Sequence, residues 1–256
     1  MLSKSQKIKL RKMGYFADQQ GIMNRFLHDP VAWESHLANS SRYVLNFVRK
    51  NKPGKVAILG SGWLLDVPFE ELTEFSSELV LVDIHHPRQM RHKLRNFQNV
   101  VFMEYEITGG TAYEVYDMVN GVKKGSREGL KNIECPGFNE EIEADYYISL
   151  NILDQLDTVI VEYLQKFPGW PVDDVYELRR KIQAAHINSL PEGRSCLITD
   201  IEEIVINKQG EKKHNPLIFT PLPRAINPKS WSWEFDNTGR YNQGEITHFG
   251  VKAMEI

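Results

Sequence analysis

The chain has 256 residues, of which 41% are hydrophobic and 25% charged, an ordinary balance for a folded globular protein. This length suits one large domain, or one domain with an added lobe, whose core needs neither disulfides nor metal ions. The formal net charge of -3 argues against a surface built mainly to bind nucleic-acid phosphates. We therefore do not expect nucleic acid to be the partner of this protein.

Cysteine usage and the lack of long apolar segments indicate where the protein resides. The two cysteines, Cys135 and Cys196, are far apart and form no C-x-x-C pattern, so neither a zinc site nor a disulfide framework is indicated. No apolar segment follows the basic N-terminus, and the longest apolar runs have the length of single strands. We expect a soluble cytoplasmic protein without a membrane partner.

The first 52 residues are predicted to be helical and to precede the main domain. Apolar residues recur there at helical spacing, Pro30 interrupts the pattern, and Pro53-Gly54 follows the last helix. The hydrophobic pattern then changes from helical spacing to short apolar runs, and residues 53–256 are predicted to form the main α/β domain.

Short apolar strands alternate with helical segments through the centre of the chain. Strands are predicted at 56–59, 78–82, 99–103, 144–150 and 195–199, a pattern typical of a parallel sheet covered on both faces. Residues 110–143 are polar and rich in glycine, and we interpret them as an insertion consisting of a helix and an irregular excursion. Two late strands at 231–235 and 247–256 follow each other without a crossover helix, which predicts an antiparallel pair at the sheet edge.

Residues Gly60-Ser61-Gly62 follow the first predicted strand and precede a helical segment. Glycines at such a turn let the backbone approach a ligand, and the helix N-terminus offers unpaired N–H groups. Asp83 ends the second predicted strand, where a carboxylate can accept hydrogen bonds from both hydroxyls of a ribose. The combination favours a nucleotide site over a plain turn and a helix cap.

Four segments of the chain together resemble the class I S-adenosylmethionine-dependent methyltransferase family. They are 55–63 (KVAILGSGW), 81–84 (LVDI), 102–109 (FMEYEITG) and 145–153 (DYYISLNIL). The competing nicotinamide fingerprint G-x-G-x-x-G requires a glycine where this chain has Leu65. The order and spacing of the four segments carry the resemblance. It implies a seven-stranded, mostly parallel Rossmann-like sheet with a terminal antiparallel hairpin.

The resemblance also implies S-adenosylmethionine as the cofactor and a set of residues that bind it. These are Gly60, Ser61, Gly62, Asp83, Ile84, Glu106, Ile107, Ser149 and Asn151. In the family the acid of the second motif binds the ribose, the next apolar residue packs on adenine, and an acid after the third strand faces the adenine amino group. The chain departs from the pattern at Ile58, where the family has an acid, and at Leu64, where it often has a third glycine. Asp66, just beyond the loop, either compensates for the missing acid or caps the helix.

The acceptor and the catalytic residues are not identified by the sequence. The Asn/Asp-Pro-Pro-Tyr signature of amino-group methylation is missing, and 149–152 reads SLNI in its place. Asn151, Asp154 and Gln155 could face an acceptor or simply solvate a helix start. We expect a methyltransferase acting on a small-molecule or modest polar acceptor. The alternative is a non-catalytic protein of this fold that binds nucleotide or a protein partner.

The sequence also contains residues that resemble two other kinds of site. Asp83, His85 and His86 superficially resemble a metal site, but adjacent histidines at a strand end point in different directions. Ser149, His186 and Asp200 could be arranged as a hydrolase triad, but no G-x-S-x-G turn is present. We therefore predict neither a metal centre nor a hydrolase.

Overall fold

A computed structural model describes residues 2–121, 127–138, 141–167 and 169–256. The helices are α1 (Lys4–Met13), α2 (Tyr15–His28), α3 (Pro30–Asn51), α4 (Phe69–Phe75), α5 (Arg88–Lys93), α6 (Thr111–Asn120), α7 (Thr158–Gln165) and α8 (Val172–Ser189), with a 3-10 helix at Arg127–Asn132. The strands are β1 (Lys55–Leu59), β2 (Glu78–Asp83), β3 (Val100–Glu104), β4 (Tyr146–Leu150), β5 (Ser195–Ile206), β6 (Lys212–Pro216), β7 (Ile226–Asp236) and β8 (Ile246–Glu255).

One sheet organises the molecule, with the strand order β3-β2-β1-β4-β5-β8-β7. The pairs among the first five strands are parallel, whereas β8 pairs antiparallel with β5 and with β7. The strand order reverses between β1 and β4, so the carboxyl end of β1 lies at the topological switch point where open α/β sheets bind ligands. The predicted fold class, a mostly parallel Rossmann-like sheet with a terminal antiparallel hairpin, is confirmed.

An eighth strand adds to the seven that were predicted. The fifth strand was predicted to end at residue 199 but continues to Ile206, after a register shift between Asp200 and Glu202. Strand β6 pairs antiparallel with this extra half of β5. Its sequence, KKHNP, is almost entirely polar and exposed, and it therefore lacks the alternation by which a half-buried strand is recognised.

The sheet is buried on both faces, and β1 shows why its strands are continuously apolar. Ala57 and Leu59 belong to one hydrophobic core, while Val56 and Ile58 belong to the core on the other face. Side chains alternate between the two faces of a strand, so a central strand covered on both sides needs an apolar residue at every position.

The N-terminal helices are packed into these cores. Leu10 and Met13 of α1 join the first core, and Trp33, Val44 and Phe47 of α3 join the second. None of the helices in the described part of the chain has both the length and the apolar character needed to cross a membrane.

Local sequence explains where α3 begins and ends. Asp29 is its N-cap, accepting a hydrogen bond from the amide of Ala32 at 3.4 Å, and Pro30 occupies the first turn, where no backbone N–H is needed. Pro30 thus interrupts the helical pattern as predicted, by starting a new helix. The helix ends at Asn51, and its C-cap Lys52 adopts a left-handed conformation before Pro53.

Candidate active site

A cleft of about 1100 Å³, counted to its open mouth, lies at the carboxyl ends of β1, β2 and β4. Helices α2 and α3 contribute residues to its walls, including Tyr15, Gln19 and His36. Eight of the nine residues predicted to bind a cofactor line it: Gly60, Ser61, Gly62, Asp83, Ile84, Glu106, Ile107 and Asn151. None of the described residues between 110 and 143 lines the cleft. The described part of this insertion therefore does not contribute to the cleft walls.

The glycine loop after β1 has one packed side and one open side. Gly60 has a φ of +81°, and a Cβ there would lie 2.9 Å from Cβ of Ile152 and 3.0 Å from the carbonyl oxygen of Leu150. Gly62 has a φ of +42°, and a Cβ there would meet nothing closer than 3.8 Å. The first glycine is therefore required by packing, whereas the second leaves room for a ligand to approach the backbone.

Leu64 has a φ of +56°, in the left-handed region that favours glycine. This is the position where the resembled family often has its third glycine. The loop thus keeps the glycine-like backbone with a side chain in place, and such strain costs on the order of 1 kcal/mol and clusters at functional sites.

Asp83, at the end of β2, lies beside the glycine loop in the wall of the cleft. Its Oδ2 accepts a hydrogen bond from the amide of Gly62 at 2.8 Å, and Oδ1 lies 3.4 Å from the amide of His85. Burial raises the pKa of this carboxyl to about 6, and the backbone N–H groups oppose that rise. An acid held in this way has little solvation to lose when ligand hydroxyls approach it.

Gln19 of α2 already forms a hydrogen bond with one carboxylate oxygen of Asp83. Its Nε2 donates to Oδ1 of Asp83 at 3.1 Å and to the carbonyl oxygen of His85 at 2.8 Å. The indole N–H of Trp63 in turn donates to the carbonyl oxygen of Gln19 at 2.8 Å. Helix α2 is therefore fastened over the carboxyl group that was predicted to bind a ribose.

Glu106 lies in the cleft wall, but its carboxylate is engaged within its own loop. One oxygen accepts from the amide and hydroxyl of Thr108 at 2.9 and 2.6 Å, and the other accepts from the amide of Gly110 at 2.7 Å. These bonds satisfy N–H groups at the start of α6. Burial raises the pKa of Glu106. The structure thus gives this residue a structural role beside the predicted contact with adenine.

Ser149 is the one predicted site residue that does not line the cleft. Its side chain is fully buried, and its Oγ lies 2.8 Å from Nε2 of His186 in α8. Ser149 thus points towards α8, one of the helices that cover the sheet. Ser149, which the resemblance implies to be a cofactor-binding residue, is therefore not brought together with Gly62, Asp83 and Glu106.

The contact between Ser149 and His186 does not build a hydrolytic triad. Nδ1 of His186 has no hydrogen-bond partner among the described residues. Burial lowers the pKa of this imidazole to about 3, so it stays neutral, and no carboxylate orients it.

Asn151 ends β4 in a left-handed conformation, with a φ of +48°. Its Nδ2 donates to Oδ2 of Asp66 at 2.6 Å and lies 3.0 Å from Nε2 of His36 in α3. Its Oδ1 is buried and has no partner among the described residues. Asp66 also lines the cleft, and burial raises the pKa of its carboxyl to about 6.

His36 connects this polar group to an aromatic wall. Nδ1 of His36 accepts from the indole N–H of Trp231 at 3.2 Å, and the imidazole stacks on Trp233 with 3.8 Å between ring centroids. Burial lowers the pKa of His36 to about 3, so the ring is neutral at physiological pH.

The residues supplied by α2 and α3 were missed by the sequence analysis. Gln19 is 64 residues away from Asp83, and nothing in its local pattern marks it. His36 could have been identified from the sequence, because it lies between Trp33 and Ser40 on the buried face of α3. A titratable residue within an apolar helical stripe is a candidate for a buried polar contact.

The two adjacent histidines after β2 face different surroundings. Nδ1 of His85 lies 3.7 Å from Glu104, whereas Nε2 of His86 lies 3.3 Å from the carbonyl oxygen of Met103. No three His, Cys, Asp or Glu side chains come together as metal ligands within the described ranges.

A pair of buried acids beside the cleft links stability to pH. Asp154 and Asp200 are 8% and 2% exposed, and burial raises the pKa of both, that of Asp154 to about 7. Repulsion adds to the rise, from Asp157 for Asp154 and from Asp154 for Asp200. Because the folded protein retains protons that the unfolded chain releases at an ordinary aspartate pKa near 4, stability falls as pH rises through neutrality.

We expect the free energy of unfolding to be larger at pH 7 than at pH 8, by roughly 1 kcal/mol for each retained proton. Below about pH 6.5 buried neutral histidines such as His186 oppose this trend, because they take up protons on unfolding. Urea denaturation at the two pH values measures the effect. Asp200→Asn should flatten the slope, and the exposed control Asp173→Asn should keep it. An unchanged slope in Asp200→Asn would show that this acid ionises freely in the folded state.

Comparisons with known proteins add structural neighbours of low similarity. No protein-family model and no curated protein matches the chain. The 1,6-didemethyltoxoflavin-N1-methyltransferase of Burkholderia thailandensis, solved with bound 1,6-didemethyltoxoflavin and S-adenosylhomocysteine, aligns over 100% of this chain and 92% of its own, at 11% identity and a TM-score of 0.43. A DhpI complex aligns over 99% of both chains at 10% identity, with a TM-score of 0.40. The N-methyltransferase NodS of Bradyrhizobium japonicum covers 85% of this chain and 86% of its own at 9% identity, with a TM-score of 0.38.

Proposed function

We propose that the chain binds S-adenosylmethionine in this cleft and transfers its methyl group to a small-molecule acceptor. The observation that carries the proposal is the position of Asp83. It ends β2 next to the switch point, lines the cleft and faces the backbone of Gly62 at 2.8 Å. In open α/β sheets this is the place where a carboxylate binds the ribose of a nucleotide.

The residues present suit such a ligand. Asp83 would accept hydrogen bonds from the ribose hydroxyls, Ile84 and Ile107 would pack against the adenine, and the open side of Gly62 admits the chain that carries the sulfonium. When bound, the cofactor supplies an electrophilic methyl group. The chain's part is to orient the acceptor and to exclude water, and α2 and α3 cover the cleft for the second purpose.

The rival function is that of a nucleotide-binding protein without catalysis. It is favoured by the hydrogen bond from Gln19 to Asp83, because a satisfied acid does not need a ligand for stability. A nicotinamide cofactor is disfavoured, since the position of the third fingerprint glycine holds Leu65.

The nucleoside held by the purified protein tests the proposal directly. Mass spectrometry of the small molecules released on denaturation should find S-adenosylmethionine or S-adenosylhomocysteine. If the preparation carries neither, equilibrium dialysis should show that it takes up S-adenosylhomocysteine. Release of a nicotinamide dinucleotide, or failure to take up S-adenosylhomocysteine, would contradict the proposal.

Gln19→Ala should bind S-adenosylhomocysteine more tightly than the wild-type protein. The amide of Gln19 competes for Oδ1 of Asp83, and a hydrogen bond to a charged group is worth about 1.5 kcal/mol, or roughly tenfold in affinity at most. Calorimetric titration measures the change. Gln20→Ala is the matched control, because the neighbouring Gln20 bonds only to Asn24 on the surface. Weaker binding by Gln19→Ala would mean that this side chain contacts the ligand itself.

A further inference from the structure

The side chains lining the cleft that can carry a charge at neutral pH are acidic. Four of them are carboxyl groups, on Asp18, Asp66, Asp83 and Glu106, and no lysine or arginine of the described chain lines the cleft. His36 is the basic side chain in the wall, and burial keeps it neutral, with its pKa lowered to about 3. A low-dielectric cleft walled in this way attracts cations and repels anions.

Asp18 belongs to α2, and the other three acids divide between two sides of the cleft. Asp83 and Glu106 follow β2 and β3, on the side assigned above to the nucleotide. Asp66 follows the glycine loop and bonds to Asn151 at the end of β4, next to His36. This second side, formed by His36, Asp66 and Asn151, is here called the polar corner.

The polar corner contains an unused hydrogen-bond acceptor. Asn151 is 9% exposed, and its Oδ1 has no partner among the described residues. A buried carbonyl oxygen without a donor costs about 1–3 kcal/mol, so its persistence in a cleft wall points to a ligand that supplies the donor. The left-handed backbone of Asn151, with a φ of +48°, is a second cost at the same residue.

We propose that the polar corner binds the methyl acceptor, and that the acceptor presents an amine nitrogen that is positively charged in solution. This inference rests on the proposed function. The N–H groups of the amine would donate to Oδ1 of Asn151 and to the carboxylate of Asp66. A carboxylate or phosphate acceptor would meet two acceptor oxygens and no cation, and would therefore be excluded by desolvation and repulsion.

The rest of the acceptor would lie against an aromatic wall. Trp33 and Trp233 line the cleft next to His36, and the imidazole stacks on Trp233 at 3.8 Å. These two side chains are 2% and 5% exposed, so they make the wall apolar without offering a free ring face. A primary amine attached to an apolar group therefore matches the charge and the hydrogen bonds of the corner.

The transfer balances with Asp66 as the proton acceptor. The ammonium gives one proton to the Asp66 carboxylate, and the neutral nitrogen then forms a bond to the methyl carbon. The bond from that carbon to sulfur breaks, its electron pair stays on sulfur, and the product is a secondary ammonium with a neutral thioether. Burial raises the pKa of Asp66 to about 6, which makes it a better base than an ordinary aspartate.

Tryptamine and indole-3-acetate, which share an indole ring and differ in the charged group, test the inference by calorimetric titration into the complex with S-adenosylhomocysteine. Tryptamine should bind, and indole-3-acetate should bind at least about tenfold more weakly. Asp66→Asn and Asn151→Gly should each weaken tryptamine about tenfold, and Asp66→Asn should leave S-adenosylhomocysteine affinity within about twofold. Glycine suits the left-handed backbone of residue 151. Asp173→Asn, at an exposed position, is the control and should change neither affinity.

The outcomes separate this inference from the proposed function. Equal binding of the two probes, or unchanged tryptamine affinity in both corner variants, would overturn the inference. The inference would also be overturned if tryptamine did not bind at millimolar concentration while S-adenosylhomocysteine bound normally. The proposed methyltransferase function would not be affected by that result. If wild-type protein does not bind S-adenosylhomocysteine, the proposed function fails and the inference falls with it.

Discussion

The melting temperature should rise by roughly 5–10 °C when S-adenosylmethionine or S-adenosylhomocysteine is present at 100 times its dissociation constant. A ligand that binds only the folded state contributes about 2.7 kcal/mol at that excess. For a chain of 256 residues, each kcal/mol moves the melting temperature by roughly 2–4 °C. Differential scanning fluorimetry measures the shift, and NAD at the same concentration should produce none.

Asp83→Ala should lose most of that shift. The ribose hydroxyls lose a charged acceptor worth about 1.5–3 kcal/mol, and the amide of Gly62 loses its partner. Asp173→Ala replaces an exposed aspartate in α8 and should keep the full shift. The unliganded Asp83→Ala protein should not melt far below the wild type, because burial of the ionised carboxyl is itself unfavourable and raises its pKa to about 6.

Two results would count against this assignment in different ways. If millimolar cofactor does not move the melting temperature of the wild type, the cleft does not bind it, and a non-catalytic protein of this fold that binds a protein partner gains support. If Asp83→Ala shifts as much as the wild type, the cofactor binds without its ribose on Asp83, and the site rather than the fold is misassigned.

The sheet was largely predictable because its strands are buried on both faces. A run such as Val56–Leu59 can be continuous and apolar only if helices cover both sides, and its place between β2 and β4 follows from that burial. Strand β6 was not predictable, since an exposed strand of polar residues has no hydrophobic period.

The candidate site was predictable only for residues whose position is set by the carboxyl end of a strand. Gly62 and Asp83 come directly after β1 and at the end of β2, so the parallel register brings them together. The same reasoning fails for Ser149, whose side chain contacts His186 of α8 and does not line the cleft.

The remaining wall of the cleft depends on helix packing. Gln19 and His36 reach the cleft from α2 and α3, and the positions of these helices are set by contacts with distant segments such as β7. No spacing rule along the chain links residue 19 to residue 83. Their roles could be found only after the helices were placed on the sheet.

A buried ion pair beneath the cleft floor holds the turn before α7 to α8. Asp157 is fully buried and accepts one hydrogen bond from Nε of Arg179 and another from Nε2 of Gln183, the latter at 2.8 Å. The guanidinium also lies over the ring of Phe219, 3.8 Å from its centroid. Burial raises the pKa of Asp157, while the charge of Arg179 opposes the rise. The carboxylate therefore depends on Arg179 to stay ionised inside the protein.

Arg179→Met should destabilise the protein by about 3–5 kcal/mol, because it leaves the buried carboxylate of Asp157 without its counter-charge. At roughly 2–4 °C per kcal/mol, thermal melting at pH 8 should show a fall on the order of 6–20 °C. The fall should shrink towards pH 5, where Asp157 can be neutralised by a proton. Arg180→Met is the matched control, since Arg180 pairs with Glu177 on the surface, where such pairs contribute less than about 1 kcal/mol. Equal melting temperatures of the two variants would show that Asp157 is protonated in the native protein and needs no partner.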